Sequence, residues 1–323
     1  MPCDVVVLMP LFNDWEPAAI LLEELDVELS AAGYSARVLI VDDCSTVRAP
    51  DSFRERKLPH LSALEVLHLR RNMGHQRAIA VGLIHVHQHI PCRAVVVMDA
   101  DGQDRPTDVR ALLQEWERSG AEAVVFAARS KRLENVLFRS LYHVYRWLHL
   151  MLTGDAVRVG NFSVVPQEKL TQLAVMPELW NHYAAAVIRS RIGLRMVPIP
   201  RGRRLRGESR MNYAGLLLHG LSAFFVYGDI IGARLLAAVG ILLVLALLVI
   251  GSELVYAALT GHSIPQWGAY AAGLALVVLL QAVLGALVLV FTVIGSRVNM
   301  NFLPIRDCPY FVRNVEVLSG NQS

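Results

Sequence analysis

The sequence lacks the features that would place it among disulfide-rich, zinc-ribbon or repeat proteins. Its cysteines show no CxxC spacing, and neither an internal repeat nor a low-complexity linker is visible. The opening stretch MPCDVVVLMPLFND has no basic segment and turns polar after a short apolar run, so we expect no signal peptide. A cytosolic face would keep thiols reduced, and we assign no role to Cys3, Cys44, Cys92 and Cys308.

An excess of positive charge is also missing from most of the chain. Residues 1–200 carry 22 Lys and Arg against 23 Asp and Glu, whereas residues 201–323 carry nine against five. The net charge of +3 therefore belongs to the last part of the sequence. Because those basic residues adjoin apolar segments, the expected partners are anionic lipid headgroups or phosphates, and not nucleic acid.

Apolar residues are abundant: they make up 54% of the chain, and the mean hydropathy is +0.41. Two apolar segments, at about 235–259 and 268–295, are long enough to cross a bilayer, which takes roughly 20 helical residues. They predict a transmembrane hairpin over residues 235–295. The connecting loop TGHSIPQW has no Lys or Arg, while arginines flank the hairpin on both sides. The positive-inside rule then predicts a multi-pass protein whose two termini are both cytoplasmic.

Residues 1–213 predict an α/β domain, because short β-branched runs alternate with helical patterns. We expect a doubly wound, Rossmann-like sheet of mostly parallel strands. Residues 214–234 are apolar with scattered polar positions, which predicts interfacial helices before the hairpin. The tail, residues 296–323, alternates like a strand and would allow pairing with another subunit. The predicted strands lie in DVVVLM, ARVLIV, LEVLHL, AVVVM and AVVFA, and the predicted helices cover 17–32, 75–89, 108–119 and 142–152.

The stretch DADGQD follows one of the buried strands directly. Carboxylates at i and i+2 with an amide at i+4 are hard oxygen ligands of the kind that Mg²⁺ or Mn²⁺ prefers. A solvated loop that ends a strand is the plain alternative. Ligands of such sheets bind at the carboxyl ends of the strands, which favours a metal and diphosphate site here. The candidate metal ligands are Asp99, Asp101 and Gln103.

Five motifs stand in an order and spacing that resemble a known family: VVVLMPLFND, VLIVDDCST, LRRNMGHQRAIAVGL, VVMDADGQD and RLRGESRMNY. The chain resembles family 2 glycosyltransferases of the polyprenyl-phosphate glycosyltransferase and dolichyl-phosphate mannose synthase type. The resemblance implies a GT-A fold, a nucleotide-sugar donor and a divalent cation. It also implies transfer with inversion onto the phosphate of a membrane polyprenol. Likeness to the bacterial branch favours a UDP-sugar, undecaprenyl phosphate and the bacterial inner membrane.

The resemblance also implies roles for individual residues. Pro10, Asn13 and Asp42 would line the nucleoside pocket, and Asp99 would face the nucleotide. Asp101 and Gln103 would hold the metal. The stretch RLRGESR would supply the groups that bind the acceptor phosphate. Two of its arginines, Arg206 and Arg210, would carry catalysis together with Asp99 and Asp101. These acceptor-side residues are Arg206, Ser209 and Arg210. A basic cluster that serves membrane topology alone is the alternative interpretation of this stretch.

Two positions depart from the family pattern. Arg210 stands where the family usually has Lys, which preserves the charge but changes its geometry. Ser163 in VGNFSVV stands where the family usually has Arg, which weakens any acceptor contact near it. Arg129 and Arg139 are candidate replacements, although ordinary solvated arginines would fit the sequence equally well.

Two histidine-containing motifs are most simply explained by local structure. In RRNMGHQRAIAVGL, Asn72 and Gly74 would cap a helix that begins near His75 and whose N-terminus could meet an anion. His75 could approach the donor, although we expect its hydrogen bonds to be local. In HVHQH, His85 and His89 would share a helix face that His87 does not, and no acidic residue flanks them. We therefore do not expect a zinc site there.

A lipid phosphate is already largely ionised at neutral pH, so the implied transfer needs no catalytic base. Two other functions stay open from the sequence. A processive or ceramide-type family 2 enzyme would use a hydroxyl acceptor, but the Q-x-x-R-W motif of those relatives is not found. An inactive membrane scaffold would have no physical need to keep the repelling carboxylates of Asp99 and Asp101.

Overall fold

The computed structural model describes residues 3–129, 151–153, 159–200, 202, 204–205, 222, 226–298 and 302–320. The chain divides into two compact units. The first unit contains three separate stretches, Met1–Val136, Val157–Val226 and Phe302–Ser323, so the residues after the hairpin belong to it. The second unit contains Leu137–Ala156 and Tyr227–Asn301.

An eight-stranded mixed sheet forms the centre of the first unit. Its strands follow the order β7-β5-β6-β4-β1-β2-β3-β8. Four neighbouring pairs are parallel (β1 with β2 and β4, β2 with β3, β5 with β7), while β6 and β8 run antiparallel to their neighbours. The strands are β1 Cys3–Leu11, β2 Ala36–Asp42, β3 Leu61–Leu69, β4 Cys92–Val97, β5 Val124–Arg129, β6 Ser163–Pro166, β7 Leu194–Ile199 and β8 Val312–Gly320.

Helices alternate with the strands over the first half of the chain, as the sequence predicts. The predicted helix 75–89 is present with those bounds, while the helices predicted at 17–32 and 108–119 begin about two residues earlier. The predicted helix 142–152 lies mostly outside the described residues. The helices of the first unit are α1 Trp15–Ala31, α2 Asp51–Arg54, α3 His75–His89, α4 Pro106–Arg118, α5 Gln167–Ala174, α6 Tyr183–Arg189 and α9 Pro304–Asp307.

Apolar layers cover both faces of the sheet. One layer packs α3, α5 and α6 against alternate residues of β1, β2 and β3, and the other packs α1 and α4 against the residues between them. Helix α3 lies especially close to the sheet at Gly82, where an added Cβ would stand 2.6 Å from Leu8 Cδ1 and 2.7 Å from Val41 Cγ2. Continuous apolar strands such as β1 are therefore buried on both sides, which is why they lack alternation.

The tail forms a strand, as the sequence predicts, and its partner lies in the same chain. Strand β8 pairs antiparallel with β3 of the same chain, from Leu69 opposite Val312 to Ala63 opposite Gly320. Aromatic packing of Phe302 and Phe311 on Trp180 holds the residues that precede it. Because β8 is the last strand of the sheet, only one of its edges pairs with β3, and pairing of the tail with another subunit stays a prediction.

The described part of the second unit contains two long apolar helices, α7 Gly228–Thr260 and α8 Gln266–Val298. Both are long and apolar enough to cross a membrane, with 18-residue windows of mean hydropathy 2.9 that are 0% and 6% buried. Gly232 lets the helices approach closely, since an added Cβ would lie 3.0 Å from Val290 Cγ2. Helix α7 begins at Gly228, earlier than the predicted start near Leu235.

Candidate active site

The acidic loop after β4 is a tight structure rather than an open turn. The Asp99 N–H donates to Asp104 Oδ2 at 2.9 Å, and the Gln103 N–H donates to Asp101 Oδ1 at 2.9 Å. Gly102 has a φ of +86°, which glycine adopts without the strain that other residues meet. These bonds place the carboxylates of Asp99 and Asp101 on one short loop at the carboxyl end of β4.

The segment after β7 lies directly against this loop. The Gly202 N–H donates to Gln103 O at 3.0 Å, and the Leu205 N–H donates to Asp101 O at 3.1 Å. An added Cβ at Gly202 would meet Gln103 O at 2.9 Å, and one at Gly102 would meet Leu205 Cγ at 2.3 Å. The first residues of the arginine-rich stretch thus contact the predicted metal loop, as the implied arrangement requires.

Arg204 joins two of the acidic side chains at this edge. Its Nη2 lies 3.0 Å from Asp14 Oδ2, and its Nη1 lies 3.6 Å from Asp101 Oδ2. Arg204 and Asp14 had no assigned role in the sequence. The pairing of Arg204 with both carboxylates depends on contact between strand ends about 190 residues apart, so no local motif reveals it.

Asp42 lies at the end of β2 with both carboxylate oxygens engaged. Oδ1 accepts the Ser45 N–H at 2.9 Å, and Oδ2 lies 2.8 Å from His68 Nδ1. Burial raises the pKa of Asp42, but the hydrogen bonds from His68 and Ser45 outweigh it, so the pKa lies below its ordinary value. Asp42 is thus an ionised carboxylate of fixed orientation beside the expected nucleoside pocket.

Asn13 fixes the loop after β2 rather than projecting freely. It has a φ of +62°, its N–H donates to Ser45 Oγ at 2.8 Å, and its Oδ1 accepts the Val47 N–H at 2.9 Å. Trp15 Nε1 donates to Val47 O at 2.9 Å. Pro10 is buried within β1 opposite Val41. The structure therefore gathers the ends of β1 and β2, where Pro10, Asn13 and Asp42 were expected together.

Helix α3 has Gly74 as its N-cap residue, as predicted, and Asp43 anchors the backbone just before it. The buried Asp43 carboxylate accepts the Met73 N–H at 2.6 Å and the Gly74 N–H at 2.8 Å. Asn72 instead donates its side-chain amide to Asp43 O at 3.2 Å. The predicted Asn72 cap is wrong, because Asp43, which lies distant in sequence, supplies the acceptor.

His75 lies between the acidic loop and the segment before β6. Its Nε2 is 3.1 Å from Asp99 Oδ1 and 3.0 Å from Asn161 Nδ2. Burial lowers the pKa of His75, but the carboxylates of Asp99, Asp101 and Asp104 raise it more, so the net pKa is raised. The expected local hydrogen bonds of His75 are therefore replaced by contacts to two distant elements.

Ser163 occupies a position where no acceptor contact is available. It is fully buried, its Oγ donates to Asn161 O at 2.8 Å, and it shares a hydrogen bond with Tyr183 Oη at 2.6 Å. An arginine side chain would have no space at this point of β6. The departure from the family pattern at Ser163 is thus a departure in the core of the fold.

Several predicted site residues lie outside the described residues. Arg139, Arg206, Ser209 and Arg210 belong to segments for which no structure is given. The backbone of Arg129 ends β5, but its side chain is not described. The acceptor-phosphate assignments of these five residues accordingly stay predictions.

The HVHQH tract lies on the last turns of α3, away from the acidic loop. The rings of His85 and His89 are 4.8 Å apart, as their spacing predicts, and line a cavity of about 320 Å³ with Cys308. Burial and the neighbouring His89 lower the pKa of His85 to about 4. In the described part of the chain, no group of three or more His, Cys, Asp and Glu side chains could hold a metal ion.

The acidic loop still offers a suitable donor set for a hard divalent cation. Two carboxylates, Asp99 and Asp101, and the amide of Gln103 lie within five residues and are all oxygen ligands. Since carboxylates and imidazoles alone make no such group among the described residues, a cation here would need the Gln103 oxygen together with water or phosphate. Mg²⁺ commonly binds in this way, with one or two carboxylates and substrate phosphates.

Comparison with known proteins identifies relatives of this chain. The family model for glycosyl transferase family 2 matches residues 6–168. An uncharacterized glycosyltransferase of Bacillus subtilis is 26% identical over 63% of this chain and 62% of its own length, which is less than two thirds of that relative. The undecaprenyl-phosphate 4-deoxy-4-formamido-L-arabinose transferase of Edwardsiella ictaluri is 24% identical over 96% of this chain and 94% of that protein.

A solved structure shows the same fold. Glucosyl-3-phosphoglycerate synthase from Mycobacterium tuberculosis, in complex with Mn²⁺, UDP-glucose and phosphoglyceric acid, aligns with a TM-score of 0.50 and 15% identity. The alignment covers 71% of this chain and 80% of that structure. At this identity the likeness concerns the fold alone, which is GT-A-like, as the sequence resemblance implied.

Proposed function

The chain belongs to glycosyl transferase family 2, and from this membership we propose that it transfers a sugar from a nucleotide sugar to the phosphate of a membrane polyprenol. A UDP-sugar is the favoured donor and undecaprenyl phosphate the favoured acceptor. A relative named for undecaprenyl phosphate aligns over 96% of the chain, including the hairpin and the tail. The single structural observation that carries the proposal is the contact of the arginine-rich segment with the acidic loop, through Arg204 and Asp101.

The donor would bind at the carboxyl ends of β1, β2 and β4. Asp42, Pro10 and Asn13 would surround the nucleoside, and Asp99 would face the nucleotide. The hydrogen bonds between Asn13 and the loop after β2 support this role, because they hold that loop in one conformation before any ligand binds.

Asp101, Gln103 and Asp99 would hold a divalent cation, Mg²⁺ or Mn²⁺. When bound, such a cation offsets negative charge that develops on a departing nucleoside diphosphate. Before a cation binds, the Arg204 guanidinium compensates the negative charges of Asp101 and Asp14. This compensation keeps two repelling carboxylates together at one edge of the sheet.

Arg206, Ser209 and Arg210, helped by Arg129 and Arg139, would bind the acceptor phosphate. Arginine forks match phosphate oxygens, and they would allow two anions to approach each other. A lipid phosphate is largely ionised near neutral pH, so direct attack on the anomeric carbon needs no base and inverts its configuration. Positioning and electrostatics would then supply the rate enhancement.

The two apolar helices indicate association with a membrane. We propose the bacterial inner membrane, with the catalytic unit and both termini on the cytoplasmic side. The Lys- and Arg-free loop between the helices supports this orientation, because translocated loops are poor in basic residues. The sugar lipid would then serve as a lipid-linked donor for cell-envelope glycans.

The test is incubation of the full chain, in membranes or detergent, with Mg²⁺, undecaprenyl phosphate and a panel of UDP- and GDP-sugars. We expect mass spectrometry to find one sugar-phosphate lipid, and Asp101→Asn to lower its formation at least 100-fold. Glu115→Gln, which disturbs a more exposed ion pair with Arg118 on α4, is the control and should leave the rate unchanged. A wild-type protein that makes no sugar lipid from any donor, or that prefers an acceptor hydroxyl, would overturn the proposal.

A further inference from the structure

A chain of polar contacts connects the tail strand to the expected nucleoside pocket. His68 Nδ1 lies 2.8 Å from Asp42 Oδ2, and His68 Nε2 lies 3.3 Å from Glu316 Oε2. Arg54 binds the other oxygen of Glu316. Asp42 in turn accepts the Ser45 N–H. One imidazole thus bridges a carboxylate at the pocket and a carboxylate of the C-terminal strand.

The sheet register explains how these residues meet. Asp42 and His68 are direct partners in the parallel pair β2 and β3, while Glu316 lies opposite Val66, two residues before His68. Partners and residues two apart share a face of a sheet, so all three polar side chains project on the same side. Only addition of β8 as the eighth strand brings Glu316 to this position.

The charges around His68 favour its doubly protonated form. The hydrogen bond to Asp42 raises the pKa of His68 most, burial opposes it, and Glu316 raises it further, so the net pKa is above 6.5. The charged groups that face this imidazole network are Asp42 on β2, Glu316 on β8 and Arg54 on α2, which neutralises part of Glu316. A protonated imidazole can donate to both carboxylates at once, whereas a neutral one can donate to one only.

We propose that His68 and Glu316 are positioning residues for donor binding, and that the C-terminal strand β8 is therefore part of the nucleotide site. His68 fixes Asp42 Oδ2 while the Ser45 N–H fixes Oδ1, so the carboxylate plane has one orientation. Glu316 holds the imidazole in the orientation and protonation state that this requires. The inference rests on the proposed function, in which Asp42 contacts the nucleoside.

Two substitutions at one position separate positioning from bulk packing. In His68→Asn, the side-chain amide nitrogen can stand near the former Nδ1 and still donate to Asp42, but it cannot reach Glu316. In His68→Gln, the amide stands nearer the former Nε2 and loses the Asp42 contact. A positioning role predicts that the Asn variant retains donor affinity better than the Gln variant.

The experiment titrates UDP, with GDP in parallel, into the full chain in detergent by calorimetry, and measures KM and kcat for the donor. We expect His68→Gln to raise Kd and KM about tenfold with kcat within about twofold, and Glu316→Gln to raise them about threefold. His68→Asn should stay within about threefold of wild type. In the wild type, nucleotide affinity should fall as pH rises through the raised pKa of His68, and in His68→Asn it should not.

Glu65→Gln is the matched control. Glu65 is a buried carboxylate of the same strand β3, paired with Arg37 at 3.2 Å, and has no contact with Asp42 among the described contacts. Its substitution should change the unfolding temperature without changing Kd for UDP. Equal loss of affinity in His68→Asn and His68→Gln, or in Glu65→Gln, would reduce the network to a structural role and overturn the inference. Failure of the wild type to bind UDP or GDP would overturn the proposed function instead, and this inference with it.

Discussion

The acidic loop turns at a glycine that lies directly against Leu205. Gly102 combines a φ of +86° with Leu205 Cγ at 2.3 Å from an added Cβ. Gly120 has a similar φ of +80° but no atom within 4 Å. The two glycines therefore share a backbone conformation but differ in the space available to an added side chain.

We predict that Gly102→Ala lowers sugar transfer at least tenfold, because the methyl group displaces the Leu205 side chain from the loop and strains a backbone with a φ of +86°. Gly120→Ala should cost about 1 kcal/mol of unfolding free energy through backbone strain alone and leave transfer unchanged. Transfer assays with thermal unfolding of both variants check this. Equal activity of the two variants would show that contact with Leu205 does not matter.

Asp43 is the residue on which the start of α3 depends. We predict that Asp43→Ala destabilises the protein by about 2–4 kcal/mol, because it leaves two amide N–H groups, of Met73 and Gly74, without their acceptor. Glu115→Ala, which removes a more exposed ion pair with Arg118, should cost less than about 1 kcal/mol. Denaturant unfolding measures both values. A small effect at Asp43 would mean that water replaces the carboxylate.

Helix α3 of the first unit packs closely against the sheet. We predict that Gly82→Ala destabilises the protein by about 1–3 kcal/mol, since the methyl group would overlap Leu8 and Val41. Helix propensity alone predicts the opposite sign, a gain of about 1 kcal/mol for alanine over glycine. The sign of the change in unfolding free energy thus decides between close packing and propensity.

The attachment of β8 should depend on pH. The pKa of His68 is raised, so its contribution is fully present below 6.5 and is lost as pH rises through the raised value. The pKa of Asp42 is lowered, so its contribution is present above 3.8 and is lost as pH falls through the lowered value. The contacts that hold the strand are therefore strongest between pH 3.8 and pH 6.5.

We predict that amide hydrogen exchange in β8, corrected for its intrinsic pH dependence, accelerates as pH rises above the raised pKa of His68. His68→Asn should abolish that acceleration, because no group titrates at that position. Exchange in β1, at the centre of the sheet, serves as the internal reference. The same acceleration in His68→Asn would assign the effect to another group.

The whole molecule combines a nearly neutral sheet domain with two exposed apolar helices. The described part of the chain buries only 0% and 6% of the most apolar windows of these helices, so their side chains need an apolar environment. A bilayer meets that need, because helical backbone groups are satisfied internally and apolar side chains face the lipid.

We predict that Leu248→Arg combined with Leu284→Arg removes the protein from the membrane fraction. These exposed positions lie near the middles of α7 and α8, where each arginine costs about 3 kcal/mol on insertion. The control, Thr260→Arg at the helix end, should leave the protein membrane-bound. Alkaline extraction of membranes distinguishes the two, and retention of the double variant would argue against a membrane-spanning hairpin.

The sequence alone was enough for the local features of this protein. Strands β1 to β5, helix α3 with its bounds, the acidic loop and the apolar hairpin could all be predicted. Each is encoded by residues within about 30 positions of one another, through periodicity, turn residues and the spacing of charges. The family motifs added the order in which these local features occur.

Only the tertiary structure decided which distant residues meet. The tail strand could be predicted, but its pairing with β3 could not, because alternation specifies a strand and not its partner. Arg204 beside Asp101, Asp43 at the start of α3, and His68 between Asp42 and Glu316 all join segments far apart in the chain. Such pairs depend on strand order and register, which are set by packing of the whole sheet and leave no local pattern.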